Sequence, residues 1–211
     1  MSTSLATLSE KEYWDEVLTK AELPRLNSEK NYSYRVTMNY IHDILKGSEG
    51  KSFLEIGCGS SGWLPYFHNT YKLKISGLDY SKVGCDVAKE NLKMQHIPFS
   101  EIYCKDFLEQ NFDLPQKFDF IFSYGVVEHF NDTTEIIAIF KKLLKPGGTL
   151  ITLVPNLNGF NGFITKKFMP DIYALHKVIT NKQLKSYHTD NKLQLKKSNY
   201  VGTFSFAVFP F

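Results

Sequence analysis

The stretch that decides the fold is FLEIGCGSSGW, residues 53–63. It begins as a short apolar strand and continues into Gly57-Cys58-Gly59-Ser60-Ser61-Gly62, a complete GxGxxG loop that opens a helix. Such a loop lets the backbone approach a nucleotide closely. The next apolar run ends at Asp79, where a carboxylate is placed to accept hydrogen bonds from ribose hydroxyls. The spacing predicts a nucleotide-binding α/β fold.

Short apolar runs alternate with helical patterns downstream of this loop. We predict strands in SFLEIGC, KISGLDY, SEIYCKDF, FDFIFSYG (118–125) and TLITLVP (149–155). Helices are expected near 62–71 and 82–95, and a further helix is opened by Asp132 and closed by Lys145-Pro146-Gly147-Gly148. The link between the third and fourth strands is shorter than a full helix. The alternation indicates a doubly wound, mostly parallel, Rossmann-like sheet.

The ends of the chain add helices and one more strand to this prediction. Residues 9–21 carry a helical apolar stripe with a capping box formed by Ser9 and Glu12, and Pro24 stops that helix. A second helix runs to Gly47. We therefore expect residues 1–49 to form a helical extension that acts as a lid, and residues 50–211 to form the Rossmann-like domain. Thr180 and Gln183 are expected to cap a late helix, followed by a sixth strand at 193–206.

Composition excludes several classes of protein. Hydrophobic residues make up 43% and charged residues 22%, which is ordinary globular usage and argues against disorder. The net charge of +3 is too small to indicate nucleic acid or a membrane. The three cysteines form no CxxC pair, so we expect neither a disulfide framework nor a zinc knuckle. With no signal sequence and only strand-length apolar runs, a soluble, cytoplasmic protein is expected.

Two further acids define the kind of ligand. Glu55 stands two residues before Gly57, where a carboxylate repels a pyrophosphate and attracts a sulfonium or ammonium group. Asp106 follows the third strand, where it can accept a hydrogen bond from the adenine amine. The acids favour a positively charged nucleoside ligand.

Together, FLEIGCGSSGW, the acids of SGLDYS and YCKDF, FDFIFSYGVVEHF and LLKPGGTLITLVPN resemble class I S-adenosylmethionine-dependent methyltransferases of the small-molecule branch, over residues 50–158. The resemblance implies S-adenosylmethionine as cofactor, S-adenosylhomocysteine as product, and no metal. It implies that the cofactor-binding residues are Glu55, Gly57, Cys58, Gly59, Trp63, Asp79, Tyr80, Asp106, Phe107 and Tyr124. Trp63 stands at a variable place, so stacking near the cofactor and core packing both stay open for it.

The chemistry expected from this resemblance needs mainly positioning, because a sulfonium leaves as a neutral thioether. An in-line nucleophile held at about 3 Å can contribute ~7 to 11 kcal/mol. His129 is the candidate base for the acceptor's proton, and Glu128 would orient it or hold a cationic substrate. The alternative is that this pair only shapes the pocket or caps the next helix. We expect the acceptor pocket to form from the N-terminal helices and the apolar segment 156–175.

Three other functions compete with small-molecule methyl transfer. An NAD-dependent oxidoreductase could use the same loop, but Glu55 and Asp106 count against it. A nucleic-acid methyltransferase is suggested by eight lysines between 166 and 197, against two aspartates. The fourth strand ends in Ser123-Tyr124-Gly125, not in the Asp/Asn-Pro-Pro-Tyr motif of enzymes that act on base amines, so nucleic acid ranks below a small molecule as the acceptor. A non-catalytic cofactor-binding protein is the third alternative.

The C-terminal end departs from the pattern expected of this family. Its members have a seventh strand, which we cannot place, and residues 203–211 contain four phenylalanines. An exposed apolar end of this kind would promote aggregation of a monomer. We expect either a truncated chain or a tail that pairs in a homo-oligomer, and favour truncation.

Overall fold

The computed structural model describes residues 7–202, and its centre is a five-stranded, all-parallel sheet. The strands are β1 (Ser52–Ile56), β2 (Lys74–Asp79), β3 (Ile102–Cys104), β4 (Phe118–Tyr124) and β5 (Leu144–Leu153), in the order β3-β2-β1-β4-β5. β1 lies at the centre and pairs with both β2 and β4. The predicted doubly wound, Rossmann-like fold is confirmed.

Successive side chains of β1 point to opposite faces of the sheet and pack into two separate core layers. Phe53 packs into the cluster on one face of the sheet, and Leu54 and Ile56 pack into the cluster on the other. All three are buried, as expected for a strand covered on both faces. The Glu55 side chain therefore leaves the strand on the same face as Phe53.

Helices cover both faces. The Phe53 face packs against α2 (Tyr32–Leu45), α3 (Trp63–Tyr71) and α4 (Lys82–Met94). The other face packs against α5 (Thr133–Lys142), with α8 (Asn181–Asp190) outside it. Thirteen residues, 105–117, join β3 to β4 without a helix, as the sequence predicted.

The two predicted N-terminal helices are present, but the first is shorter than expected. It is α1 (Lys11–Thr19), with Glu10 as N-cap and no side-chain cap. The predicted capping box of Ser9 and Glu12 is wrong, because the Ser9 hydroxyl accepts the indole N–H of Trp14 at 2.9 Å. The helix ends at Thr19, before Pro24 is reached.

The boundary between α5 and β5 differs from the prediction. α5 ends at Lys142, not at the Lys145 to Gly148 turn, because Leu143 is buried and its carbonyl accepts the Phe118 N–H at 2.9 Å. Leu144 then already pairs with Phe118. Residues 145–148 interrupt the register inside β5 before Thr149 pairs with Phe120.

After β5 the chain forms α6 (Phe160–Phe168), α7 (Pro170–Ala174) and α8. The capping box of Thr180 and Gln183 at the start of α8 is confirmed. The predicted sixth strand is wrong for residues 193–202, which contain no strand. This segment contacts β5 through side chains, such as Lys196 Nζ on Thr149 Oγ1 at 3.0 Å. The rest of that prediction and the proposed tail contact, at 203–211, lie outside the described residues.

Within residues 7–202, no helix has the length and apolar character needed to cross a bilayer.

Candidate functional site

The candidate site lies at the carboxyl ends of β1 and β4. The strand order reverses between these two strands, because β2 and β3 follow on one side and β5 on the other. In open α/β sheets, ligands bind in the crevice at this point. The loop after β1 carries the glycines and the loop after β4 carries Glu128 and His129.

Gly57 makes the contact between these two loops. Its φ of +74° lies in the left-handed region, and a Cβ atom there would be 2.6 Å from Val126 Cγ2. The Gly57 N–H donates to the Leu78 carbonyl at 2.8 Å, which fixes the start of the loop against β2. Only glycine satisfies both the conformation and the space.

Asp79 binds the same loop from the end of β2. Its Oδ2 accepts the Gly59 N–H at 2.9 Å and its Oδ1 accepts the Ser81 N–H at 2.9 Å. Burial raises the pKa of Asp79, and these backbone hydrogen bonds oppose the rise. Each oxygen still has acceptor capacity for another donor.

Glu55 is the buried carboxyl group below the loop. It is only 2% exposed, and its Oε2 has no hydrogen-bond partner among the described residues. Burial raises its pKa to about 8. A hydrogen bond with Ser61 lowers the pKa, and the Asp79 charge raises it. A buried carboxyl group without full partners is costly, so the site favours a ligand that brings a donor or a positive charge.

Helix α1 covers the crevice from above. Leu18 is buried over the loop, so that a Cβ on Gly59 would lie 2.8 Å from Leu18 Cδ2. Asp15 of the same helix accepts a hydrogen bond from the Ser81 hydroxyl. The sequence patterns did not indicate either contact, because both join segments far apart in the chain.

Two predicted cofactor residues turn their side chains into the core. The Cys58 side chain is fully buried, and its Sγ would lie 2.5 Å from a Cβ on Gly77. Phe107 packs edge-on to Phe140, with ring centroids 5.2 Å apart. These two residues can therefore offer a ligand their backbone rather than their side chains.

The remaining predicted residues lie at different depths in the structure. Asp106 is half-buried after β3, and its Oδ1 accepts the Leu108 N–H at 2.8 Å. Tyr80 is half-buried, and burial raises its pKa. Trp63 is buried and lies 5.9 Å, between ring centroids, from the exposed Tyr124. Trp63 also stacks on Phe67 in the core, so its ring belongs to the packing around the crevice.

Glu128 and His129 lie on a 3₁₀ turn, Val127–His129, after β4. Glu128 is 1% exposed, and neither carboxyl oxygen has a hydrogen-bond partner among the described residues. Burial raises its pKa to about 8. Burial also lowers the pKa of His129 to about 4, although its Nδ1 lies 2.7 Å from the Leu175 carbonyl, a contact that acts in the opposite direction. His129 is therefore neutral at pH 7.

A cleft of about 1040 Å³ opens beside this turn. It is bounded by α2, by β5 and by the segment after β5. Its lining includes Trp14, Tyr34, Tyr124, Glu128, His129, Phe160 and His176. The two segments expected to form an acceptor pocket, the N-terminal helices and residues 156–175, thus both line one cleft.

His176 is the functional candidate that sequence reasoning missed. Its ring centroid lies 4.6 Å from that of His129. It stands one residue beyond the segment 156–175, and no spacing motif connects it with His129, which lies on a distant part of the chain. The only available signal was a histidine at the end of an apolar insert.

Comparison with protein families finds that residues 54–152 match the model of the methyltransferase domain. The ubiquinone biosynthesis O-methyltransferase of Proteus mirabilis is 31% identical over 122 residues, which are 57% of this chain and 49% of that protein. The chain thus spans about half the length of the curated relatives it matches.

Solved structures show the same fold at low sequence identity. The cyclopropane synthase MmaA2 of Mycobacterium tuberculosis has a TM-score of 0.60 and 18% identity, covering 78% of this chain and 62% of its own. A phosphoethanolamine N-methyltransferase of Haemonchus contortus, solved with S-adenosylhomocysteine, has a TM-score of 0.57 and 18% identity, covering 74% and 36%.

Proposed function

We propose that this chain, whose residues 54–152 belong to the methyltransferase domain family, transfers a methyl group from S-adenosylmethionine to an oxygen or nitrogen atom of a small molecule. The relatives named as O-methyltransferases favour oxygen. The observation that carries the proposal is the buried Glu55 carboxyl group, whose Oε2 lacks a partner among the described residues directly below the glycine loop.

The residues at the crevice fit this cofactor. The methionyl end carries an ammonium group and a sulfonium, and Glu55 offers a carboxyl oxygen that needs a positive partner. A Cβ on Gly57 would lie 2.6 Å from Val126 Cγ2, so the loop can take this place only with glycine. We propose that Asp79 receives the ribose hydroxyls with its remaining acceptor capacity, and that Asp106 and the Phe107 backbone meet the adenine.

When bound, S-adenosylmethionine supplies an electrophilic methyl group on a cationic sulfur atom. The protein's part is to exclude water and direct the acceptor. α1 covers the loop through Leu18. Within the predicted lid, residues 1–49, we propose that α1 moves aside for ligand entry, while α2 keeps its place against the sheet. Tyr34 and Tyr124 line the same cleft as Glu128 and His129.

We propose that Glu128 and His129 contact the acceptor. With Nδ1 bonded to the Leu175 carbonyl, the Nε2 of neutral His129 carries the lone pair. A pKa of about 4 makes His129 a weak base for a phenol or an alcohol. A second group that lowers the pKa of the acceptor hydroxyl would remedy this weakness.

The three cysteines, Cys58, Cys85 and Cys104, are free thiols. We propose a reducing compartment, the cytoplasm, as the place where the chain works.

Calorimetric titration with S-adenosylmethionine, S-adenosylhomocysteine and NAD tests the cofactor. We expect saturable binding of the first two and none of NAD. Incubation with a panel of phenols, carboxylic acids and amines, read by mass spectrometry, tests the transfer, and one added methyl group is expected on at least one class. NAD binding would overturn the proposal. Cofactor binding with no methylated product across the panel would favour a non-catalytic protein.

Nucleic acid is the second acceptor class to exclude. Two of the C-terminal lysines are already engaged, since Lys196 Nζ contacts Thr149 and Lys197 Nζ lies 3.7 Å from Asp43. A methylated oligonucleotide product, or affinity that falls steeply between low and moderate salt, would contradict the small-molecule assignment.

A further inference from the structure

Glu128, His129 and His176 converge at one wall of the cleft. Each offers one ligand atom, and the three atoms lie within 4.8 Å of one another. Ligands bound to one metal ion at about 2.0–2.2 Å lie at most about 4.4 Å apart, so small side-chain rotations suffice to bring them together. We propose that this cluster binds a divalent transition-metal ion.

Both imidazoles are already oriented for such a role. His129 Nδ1 lies 2.7 Å from the Leu175 carbonyl, and His176 Nδ1 lies 2.7 Å from the Ile172 carbonyl. A carbonyl accepts, so each Nδ1 donates its hydrogen, and each Nε2 carries the lone pair. Metal-binding histidines commonly have their second ring nitrogen fixed in this way.

The buried carboxyl group of Glu128 is an independent observation that favours a bound cation. The side chain is 1% exposed, and both carboxyl oxygens lack a hydrogen-bond partner among the described residues. Nearly all buried polar groups are paired, so an orphaned carboxyl group beside two lone pairs indicates an absent partner. A metal ion satisfies all three groups at once.

His188 shows how a histidine in the same cleft is satisfied without a metal. Its Nδ1 also contacts a backbone carbonyl, that of Leu184, at 2.7 Å. Its Nε2, however, lies 3.1 Å from the Thr152 hydroxyl, which can act as the donor. His188 therefore needs no further ligand, whereas the Glu128, His129 and His176 cluster contains the unsatisfied carboxyl group.

The ligand set selects the kind of metal. Two imidazoles with one carboxylate suit Zn²⁺, Co²⁺, Mn²⁺ or Fe²⁺, whereas Mg²⁺ and Ca²⁺ prefer sites built from oxygen alone. Three protein ligands would leave a coordination position for water or substrate. A metal ion held by Glu128, His129 and His176 would lower the pKa of a hydroxyl group bound to it. This last role rests on the proposed function, since it concerns the acceptor.

The direct test is metal binding by chain first treated with a chelator. Titration with Co²⁺, followed by visible absorption, and with Zn²⁺, followed by calorimetry, is expected to show one site per chain. His176→Gln and Glu128→Gln should each weaken binding at least tenfold. His96→Gln, at an exposed histidine outside the cluster, is the matched control and should bind as the unaltered chain does.

Several outcomes would overturn the proposal. These are the absence of saturable binding, unchanged affinity in His176→Gln, or an equal loss in His96→Gln. Circular dichroism of each variant verifies the fold, and the half-buried His176 provides the variant least able to disturb packing. Titration with S-adenosylhomocysteine in parallel separates the two proposals, because the loss of the metal site should leave that binding within about twofold. Loss of S-adenosylhomocysteine binding with the metal site intact would instead contradict the proposed function alone.

Discussion

At the scale of single residues, the site depends on carboxyl groups that folding has buried without full compensation. Glu55 and Glu128 both have a pKa raised to about 8 by burial, and both keep oxygens without partners among the described residues. A raised pKa means that each group is mostly protonated at pH 7 until a cation arrives. We therefore expect the binding of a cationic ligand to be coupled to proton release.

Glu55→Gln tests this coupling. In the unaltered chain, affinity for S-adenosylmethionine should rise with pH below about 8 and level off above it, because ionised Glu55 attracts the cation. The slope approaches about tenfold per pH unit if binding restores an ordinary carboxyl pKa. The amide of the variant cannot ionise, so its calorimetric affinity profile should be lower and nearly flat. A variant that keeps the slope would show that another group releases the proton.

Asp79→Asn tests the residue that joins the glycine loop to β2. An amide has one acceptor oxygen, so one of the Gly59 and Ser81 N–H groups meets an NH₂ donor instead. Each unpaired buried donor costs about 1–3 kcal/mol. We expect a lower free energy of unfolding in urea and a loss of cofactor affinity of at least tenfold. Lower stability with unchanged cofactor affinity would contradict a role at the ribose.

At the scale of elements, two glycines with the same backbone conformation allow a matched comparison. Gly57 and Gly147 have φ of +74° and +76°. A Cβ on Gly57 meets Val126 Cγ2 at 2.6 Å, whereas a Cβ on Gly147 meets nothing within 4 Å.

Both Gly→Ala variants should lose about 1–2 kcal/mol of stability, because the left-handed conformation disfavours Ala. Gly57→Ala should lose about 1–3 kcal/mol more from overpacking and should also lose cofactor affinity. Urea denaturation and calorimetry measure the two effects. Equal stability loss in both variants would show that the contact between the loops is unimportant.

Asn91 of α4 holds the segment between α1 and α2 onto the glycine loop. Its side chain accepts the Arg25 N–H at 2.7 Å and donates to the Arg25 and Ser61 carbonyls at 3.0 and 3.2 Å. Asn91→Ala leaves these groups unpaired, at a cost of about 1–3 kcal/mol each where they stay buried. A lower melting temperature and faster amide exchange in residues 21–31 are expected. Glu90→Ala, at the exposed neighbouring position, is the control and should match the unaltered chain.

The sequence patterns were sufficient to predict the positions of some helices and strands but not the ends of others. Strand positions in β1, β2 and β4 were predictable, because both faces are buried and the apolar runs are continuous. The end of α5 was not, because Leu143 and Leu144 satisfy a helical pattern and a strand pattern equally well. The Lys-Pro-Gly-Gly turn indicated a helix end, and the chain uses it as an interruption within β5.

At the scale of the whole molecule, cofactor binding should appear as stabilisation. A ligand at a hundred times its Kd adds about 2.7 kcal/mol, which corresponds to a rise of roughly 5–10 °C in Tm for a chain of this size. Thermal scans with S-adenosylhomocysteine should show this rise, and scans with NAD should not. A larger shift with NAD would favour the oxidoreductase alternative.

The packing of the whole molecule determines which site residues could be predicted from the sequence. Glu55, the glycines and Asp79 stand at fixed offsets from strand ends, so local patterns found them. Leu18 over Gly59, and His176 beside His129, depend on how distant segments pack. Side-chain direction in Cys58 and Phe107 likewise follows from core packing, which residue type alone does not determine.

Residues 175–177 form several hydrogen bonds with the turn after β4. Leu175 offers its carbonyl to His129, the Lys177 N–H donates to the Glu128 carbonyl at 2.7 Å, and Lys177 Nζ donates to the Asn131 carbonyl at 2.7 Å. The intervening stretch, 156–174, is thus anchored at one end by β5 and at the other by the hydrogen bonds of residues 175–177. Loops anchored at both ends tolerate changes of length at little entropic cost. On the proposed function, we expect changes in the first part of this stretch, which lines the cleft, to alter acceptor preference while the turn that carries Glu128 and His129 keeps its place.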